Sequence, residues 1–316
     1  MPAAPIPKDE DARLAALRRY EILDSGSEAE YDDLTKIAAH ICGTPIALIT
    51  LVDSERQWFK ARVGLDAPET PRDQAFCAYA IHDSATFIVP DAIEDQRFSD
   101  NALVLGDPRI RFYAGAPLQT SDGINLGTLC VIDRQPRGLS GEQQEALEAL
   151  ARQVVRLIEL RYRNRLFGLL VDKNPAVVSI KDGAGRLVFA NAAWKEHFGR
   201  PGEQPLGKTA ADWLGVDDGS ALFEADVAVI RSGTSAESIH VLPANSGPRS
   251  WFTMRFPIDG LGGERMAGNV SVDLTKTELA EERLRESENK FARLCAAAPD
   301  AIVSGDEDEN VVFWNA

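Results

Sequence analysis

The chain has 316 residues, a length that suggests two or three domains. A net charge of −15 and a pI near 4.8 argue against nucleic acid or an anionic membrane surface as the main partner, since both need a basic face. No run of about 18 apolar residues occurs, and Met1 to Glu10 has no apolar signal segment, so the expected location is cytoplasmic.

In chain order, apolar spacing predicts helices over 11–23 and 31–42, the second stopped by Gly43-Thr44-Pro45. Ile46 to Val52 reads as a buried strand and Gln57 to Val63 as its hairpin partner. Arg72 to Ile81 is predicted helical. Phe87 to Val89, Ala114 to Thr120 and Asn125 to Ile132 read as strands, the last two flanking the turn Ser121-Asp122-Gly123. A long helix is expected from near Ser140 to about Leu170. Further on, Asp182 to Gly185 is a tight turn between two strands. Ser235–Leu242, Arg249–Pro257 and Arg265–Asp273 read as three more strands. The fold class is α+β, with antiparallel sheets and long connecting helices.

The chain repeats itself at an offset of 124 residues. Phe167, Leu170, Pro175 and Asp182 pair with Phe291, Leu294, Pro299 and Asp306. Val188, Phe189, Asn191 and Ala192 pair with Val312, Phe313, Asn315 and Ala316. The second copy holds one helix and about two strands, too little to close a core, which leads us to expect a piece of a longer protein.

Several segments carry a family resemblance. They include ALRRYEILD (16–24), CGTPIALITLVD (42–53), QWFK (57–60), ETPRDQAFCAYAI (69–81), VPDA (89–92), RFSDN (97–101), IRFYAGAPL (110–118) and GTLCVID (127–133). Together they resemble the GAF domains that open many bacterial sensor kinases and cyclic-dinucleotide enzymes. DGAG (182–185), VFAN (188–191), Phe198-Gly199, Gly207-Lys208 and DLT (273–275) resemble a PAS domain. The expected organisation is a GAF domain over 1–160, a connecting helix over 140–170 and a PAS domain over 167–275. A linker helix follows over 276–294, then the start of a second, incomplete PAS over 291–316.

The linker suits a heptad with Thr277, Leu284 and Phe291 at a and Ala280, Ser287 and Leu294 at d. The resemblance implies a homodimer through these helices, with Asp273 and Thr275 as the signal junction and Thr275 as a helix cap. It also implies a downstream output, a histidine kinase with its response regulator, or alternatively a cyclic-di-GMP synthase or phosphodiesterase. A dimerisation scaffold that binds no ligand is the remaining alternative. No catalytic signature appears within the chain, so no catalytic residue is expected in it.

Site candidates follow from the same segments. Trp58, Cys77, Tyr79, Asp91, Arg97, Arg111 and Tyr113 could line a pocket in the first domain. Arg97 and Arg111 could clamp an anion, or else pair internally to hold the 91–111 loop. Trp58 and Phe59 are neighbours on a strand, so only one is expected to face the core. In the second domain Asn191, Trp251 and Met254 are the cavity candidates, although Asn191 could bond backbone instead.

The ligand is left open, and three cofactors are argued against. Ala78 and Tyr79 follow Cys77 where bilin-binding relatives have histidine. No cysteine lies between 131 and 294 for covalent flavin chemistry. Haem would depend on His197 or His240. The cysteines Cys42, Cys77, Cys130 and Cys295 contain no C-x-x-C and read as buried thiols rather than as a metal or redox site.

Overall fold

The computed structural model describes residues 3–260, 262–297, 303–306 and 311–314. The chain divides into two units, Met1–Leu166 and Phe167–Ala316.

The first unit opens with α1 (Glu10–Arg19) and α2 (Ala29–Cys42), then β1 (Ile46–Val52), β2 (Arg56–Val63) and β3 (Glu69–Pro71). A 3-10 turn (Arg72–Gln74), α3 (Cys77–Ala80), β4 (Phe87–Val89) and α4 (Ala102–Leu105) follow. β5 (Phe112–Gln119), β6 (Asn125–Asp133) and α5 (Gly141–Lys173), whose last turns belong to the second unit, complete the order. Gly43 ends α2 in the left-handed conformation (φ 62°), which suits a residue without a Cβ. The strands form one antiparallel sheet in the order β3-β2-β1-β6-β5-β4.

Every residue of β1 is buried, because both faces of the sheet are covered. Ala47, Ile49 and Leu51 point to a core shared with α1, α2 and α5. Ile46, Leu48 and Val52 point to a second core built with α3 and the 91–111 segment. Trp58 and Phe59 therefore both lie inside, at 8% and 3% exposure, on opposite faces. The expectation that only one faces a core fails because the sheet has two. Each such large side chain contributes about 1.5–3 kcal/mol on burial.

The helix expected over 72–81 is broken. Ala75 is extended (φ −82°, ψ 121°), leaving only the 3-10 turn and α3. The break sinks Ala75, Phe76, Cys77 and Ala78 together into the core, and Phe76 stacks on Phe98 at 4.0 Å. A continuous helix would have turned some of these four toward water.

The second unit holds β7 (Val177–Lys181), β8 (Leu187–Ala190), α6 (Ala192–Phe198), α7 (Ala210–Leu214) and α8 (Val216–Ser232). It continues with β9 (Ala236–Ala244), β10 (Gly247–Asp259), β11 (Arg265–Asp273) and α9 (Thr275–Ala297). Its sheet is antiparallel in the order β8-β7-β11-β10-β9. The Asp182 carboxylate accepts from the backbone of Ala184 and Arg186 at 2.9 and 2.8 Å, closing the predicted turn. Of the three helices between β8 and β9, α8 is the longest, at 17 residues.

Beyond α9, β12 (Val303–Gly305) and β13 (Val311–Trp314) form a hairpin. Its pairs Val303↔Trp314, Ser304↔Phe313 and Gly305↔Val311 are those of β7 and β8 shifted by 124 residues. The register irregularity recurs at the equivalent step, Ile180/Lys181 in one copy and Ser304/Gly305 in the other. Pro299, Asn315 and Ala316 of the repeat lie outside the described residues.

Gly127 faces Leu51 across the β1–β6 ladder, and a Cβ there would meet Thr50 O at 1.9 Å. Gly127→Ala should destabilise this unit by at least about 2 kcal/mol in urea melts, against under about 0.5 kcal/mol for Gly138→Ala, where space is open.

Glu10 is held by Arg13 (2.7 Å) and Arg72 (2.5 Å), which anchor α1 to the loops after β1 and β3. Burial raises its carboxyl pKa, but the two guanidinium groups outweigh this and lower it to about 2. The folded-state pKa is depressed, so this stabilisation is full above the ordinary pKa of 4.5 and is lost as pH falls toward about 2. Glu10→Gln should cost about 2 kcal/mol near neutrality, with the difference from the parent vanishing near pH 2 in acid-unfolding curves.

Candidate functional site

The second core of the first unit encloses a cavity of about 120 Å³. β1 and β2 supply Leu48, Gln57 and Phe59 to it, and β5 and β6 supply Tyr113 and Cys130. The broken 72–81 segment caps it with Phe76 and Cys77. Two buried polar atoms in this lining, Gln57 Oε1 and Thr70 Oγ1, have no protein hydrogen-bond partner. Unpaired buried polar atoms cost about 1–3 kcal/mol each, so a ligand or water that paired with this carbonyl oxygen and this hydroxyl would offset that cost.

A hydroxyl–thiol cluster lies at one side of the cavity. Tyr113 Oη and Thr128 Oγ1 both donate to Cys77 Sγ, at 3.1 and 3.0 Å, and Thr50 Oγ1 lies 3.1 Å from Thr128 Oγ1. Burial pushes the Cys77 thiol up, but hydrogen bonds from Cys130, Thr128, Thr50 and Tyr113 outweigh it and bring the pKa to about 7. Burial, with Cys77 as neighbour, drives Cys130 well above the ordinary thiol range.

Of the seven candidates from the sequence, Cys77 and Tyr113 line the cavity and five do not. Trp58 faces the α2 and α5 side. Asp91 and Arg111 form a two-bond ion pair at 2.7 and 2.5 Å, the internal alternative to an anion clamp. Arg97 is bound to Asp95 at 2.6 Å, with its guanidinium 4.8 Å from the Phe87 ring centroid. Tyr79 packs edge-on against Phe98 at 5.1 Å. The two arginines each answer a local carboxylate and do not converge. Of the Trp58–Phe59 neighbours it is Phe59 that lines the cavity; strand alternation from it points to Gln57, whereas nothing local in the sequence marks Thr70.

The second unit has its own cavity, of about 60 Å³, between the sheet and α6–α8. None of its three candidates lines it. Asn191 uses its side chain structurally, accepting from Val178 and Trp194 and donating to Val171 and Ala176, at 2.8–3.0 Å. Trp251 is buried in the core against His197 and Phe198. Met254 is 41% exposed, because along β10 the inward positions are Trp251, Thr253 and Arg255. Strand alternation puts Trp251 and Met254, three residues apart, on opposite faces of the sheet. The residues that do line the cavity include Lys181, His240, Thr253, Arg255 and Ser271.

At the end of this unit Arg249 pairs with the Asp273 carboxylate, whose other oxygen accepts from Thr275 N at 2.9 Å. Asp273 therefore takes the capping role expected of Thr275. The Thr275 hydroxyl instead accepts from Ser250 N at 3.0 Å, and Ser250 Oγ donates to Glu278 at 2.9 Å.

The chain matches the GAF domain over residues 27–158 and the PAS fold over residues 171–279. It carries a GAF domain followed by a PAS domain.

A cyclic di-GMP phosphodiesterase of Pseudomonas aeruginosa is 49% identical over 166 residues, which is 52% of this chain and 28% of that protein. The chain therefore spans under a third of that relative's length. Among solved structures, the GAF domain of an Acinetobacter phosphoenolpyruvate-protein phosphotransferase is 21% identical, covering 48% of this chain and 96% of its own, with a TM-score of 0.38. A PAS domain from Colwellia psychrerythraea is 16% identical, covering 36% of this chain and 98% of its own, with a TM-score of 0.32. Among the described residues no helix is long and apolar enough to cross a membrane.

The unpartnered oxygen in the GAF cavity yields a prediction. Gln57→Met keeps the volume and removes the orphaned acceptor, so it should raise the stability of the GAF domain by about 1 kcal/mol in denaturant melts.

Proposed function

We propose that the chain is the sensory input region of a signalling protein, in which the GAF and PAS domains pass conformational change through α5 and α9 to an output beyond α9. The observation that carries this reading is the junction at Asp273. Arg249 and Ser250 on β10 bind Asp273, Thr275 and Glu278, so the cavity-lining strand β10 and the first turn of α9 share one hydrogen-bond network. A shift of β10 on ligand binding must alter that network, which is the physical content of signal transfer.

In this reading the output is a histidine kinase acting on a response regulator, as the resemblance of both domains to sensor-kinase modules implies. A second reading is a cyclic-di-GMP enzyme, favoured by the 49% identity to a phosphodiesterase. Assaying the complete gene product for ATP-dependent autophosphorylation against cyclic di-GMP hydrolysis separates the two. We further propose that α9 and its continuation begin a second PAS domain, supported by the repeated hairpin register. We also propose that the protein is a homodimer paired along these helices, supported by the exposed Leu284 and Leu294 of the heptad seam.

Asp273→Asn tests the junction. Weakening the bond to Arg249 should accelerate hydrogen exchange in the first turn of α9 about tenfold while leaving β10 and β11 protected. Unchanged exchange in α9 would count against the junction as the coupling point.

A further inference from the structure

The PAS cavity is chemically two-sided. Its sheet side is polar, with Lys181, His240, Thr253, Arg255 and Ser271 in the lining, and its helix side is apolar, with Trp213 and Leu222 among others. Its charges are unbalanced. Lys181 and Arg255 both line it, yet no carboxylate does among the described residues. Their shared counter-ion, Asp226, is fully buried and bonds Lys181 at 2.7 Å and Arg255 at 3.2 Å, but it lies outside the cavity lining.

Two cations thus share one carboxylate, with Arg255 only 2% exposed. An uncompensated buried cation is costly, and an anion in the cavity would offset it. The same field acts on His240, whose pKa is lowered by burial and then by Arg255 and Lys181, so the imidazole stays neutral in the lining. On the opposite wall Trp213 is nine-tenths buried and its indole Nε1–H has no hydrogen-bond partner, so its resonance reports on what occupies the cavity. At the rim Lys208 lies 4.8 Å from the Trp213 ring centroid, paired with Glu203.

We propose that the PAS cavity binds a short-chain organic monocarboxylate, with its carboxylate against Lys181, Arg255 and the Thr253 and Ser271 hydroxyls and its apolar tail toward Leu222. A cavity of about 60 Å³ suits a compact acid and leaves no room for a nucleotide or a flavin. The apolar wall distinguishes such an acid from inorganic phosphate, which would leave that surface uncovered. This inference rests on reading the PAS domain as a ligand-sensing module and names the ligand class for it.

The test uses the whole chain with propionate as the probe and propionamide, chloride and inorganic phosphate as controls. Propionate should raise the melting temperature and move the Trp213 indole N–H resonance, identified by its loss in Trp213→Phe. The controls at equal concentration should do neither. Lys181→Met should weaken propionate binding about tenfold. Because that residue also pairs with Asp226, Ser271→Ala serves as the milder variant and should weaken it about threefold.

Propionamide or phosphate acting as well as propionate overturns the proposal. So does the absence of any shift, or parental affinity in both variants. Binding that leaves exchange in α9 unchanged supports the ligand and counts against the signalling reading. A missing propionate effect alongside an intact Asp273→Asn response rejects the carboxylate alone.

Discussion

A sheet covered on both faces sorts its side chains into two compartments with different work, and the GAF domain is organised around that. In β1 and β2, neighbouring residues belong to different cores. Phe59 lines the cavity while Trp58 and Lys60 point to the helices. Lys60 is wholly buried on that side and bonds Glu28 at 2.6 Å, and Glu28 in turn lies 3.5 Å from Arg161 of α5. One strand therefore carries a cavity wall on one face and a polar anchor to α5 on the other. Any ligand that moves Phe59 acts on the Lys60–Glu28–Arg161 chain through a single peptide unit.

The PAS domain solves the same problem differently. Its sheet is covered on one face only, and the outer positions Ile239, Val241 and Met254 remain exposed. In the proposed reading, coupling to α9 therefore runs along the sheet rather than through it. β10 presents Thr253 and Arg255 to the cavity and, a few residues earlier, Arg249 and Ser250 to the start of α9. The cost of this design is a buried polar network of Lys181, Asp226, Arg255 and His240, which is stable only when its bonds are satisfied.

What could be read from the sequence follows from the range of the signals. β1, β4 and β11 were legible to the residue because each is an apolar or alternating run bounded by turn residues. The 72–81 break was not, since its cause is tertiary: Asn101 donates to Gln74 O at 3.0 Å and Phe98 stacks on Phe76, from a loop that local periodicity cannot see. The cavity linings suffered more. Arg97 and Arg111 could be an anion clamp or internal ion pairs from the chain alone, and it is Asp95 and Asp91 that claim them in space. Lys181, Asp226 and Arg255 are far apart in sequence, and only the sheet and α8 bring them together.

The repeat sharpens what the helices are. Phe167 and Leu170 near the end of α5 are 67% and 71% exposed, and their counterparts Phe291 and Leu294 on α9 are 55% and 63% exposed. Each pair precedes a hairpin of the same register with the same irregularity. A bulge costs ladder hydrogen bonds, so its recurrence at one position argues for a retained feature rather than a local accident. The repeated unit is thus helix end plus hairpin, with large apolar residues held toward solvent just before the sheet begins. An apolar pair costs solvation at that position unless something covers it. In the proposed homodimer, pairing along the helices would bring both copies of this pair to the same kind of junction, since they stand at the same offset.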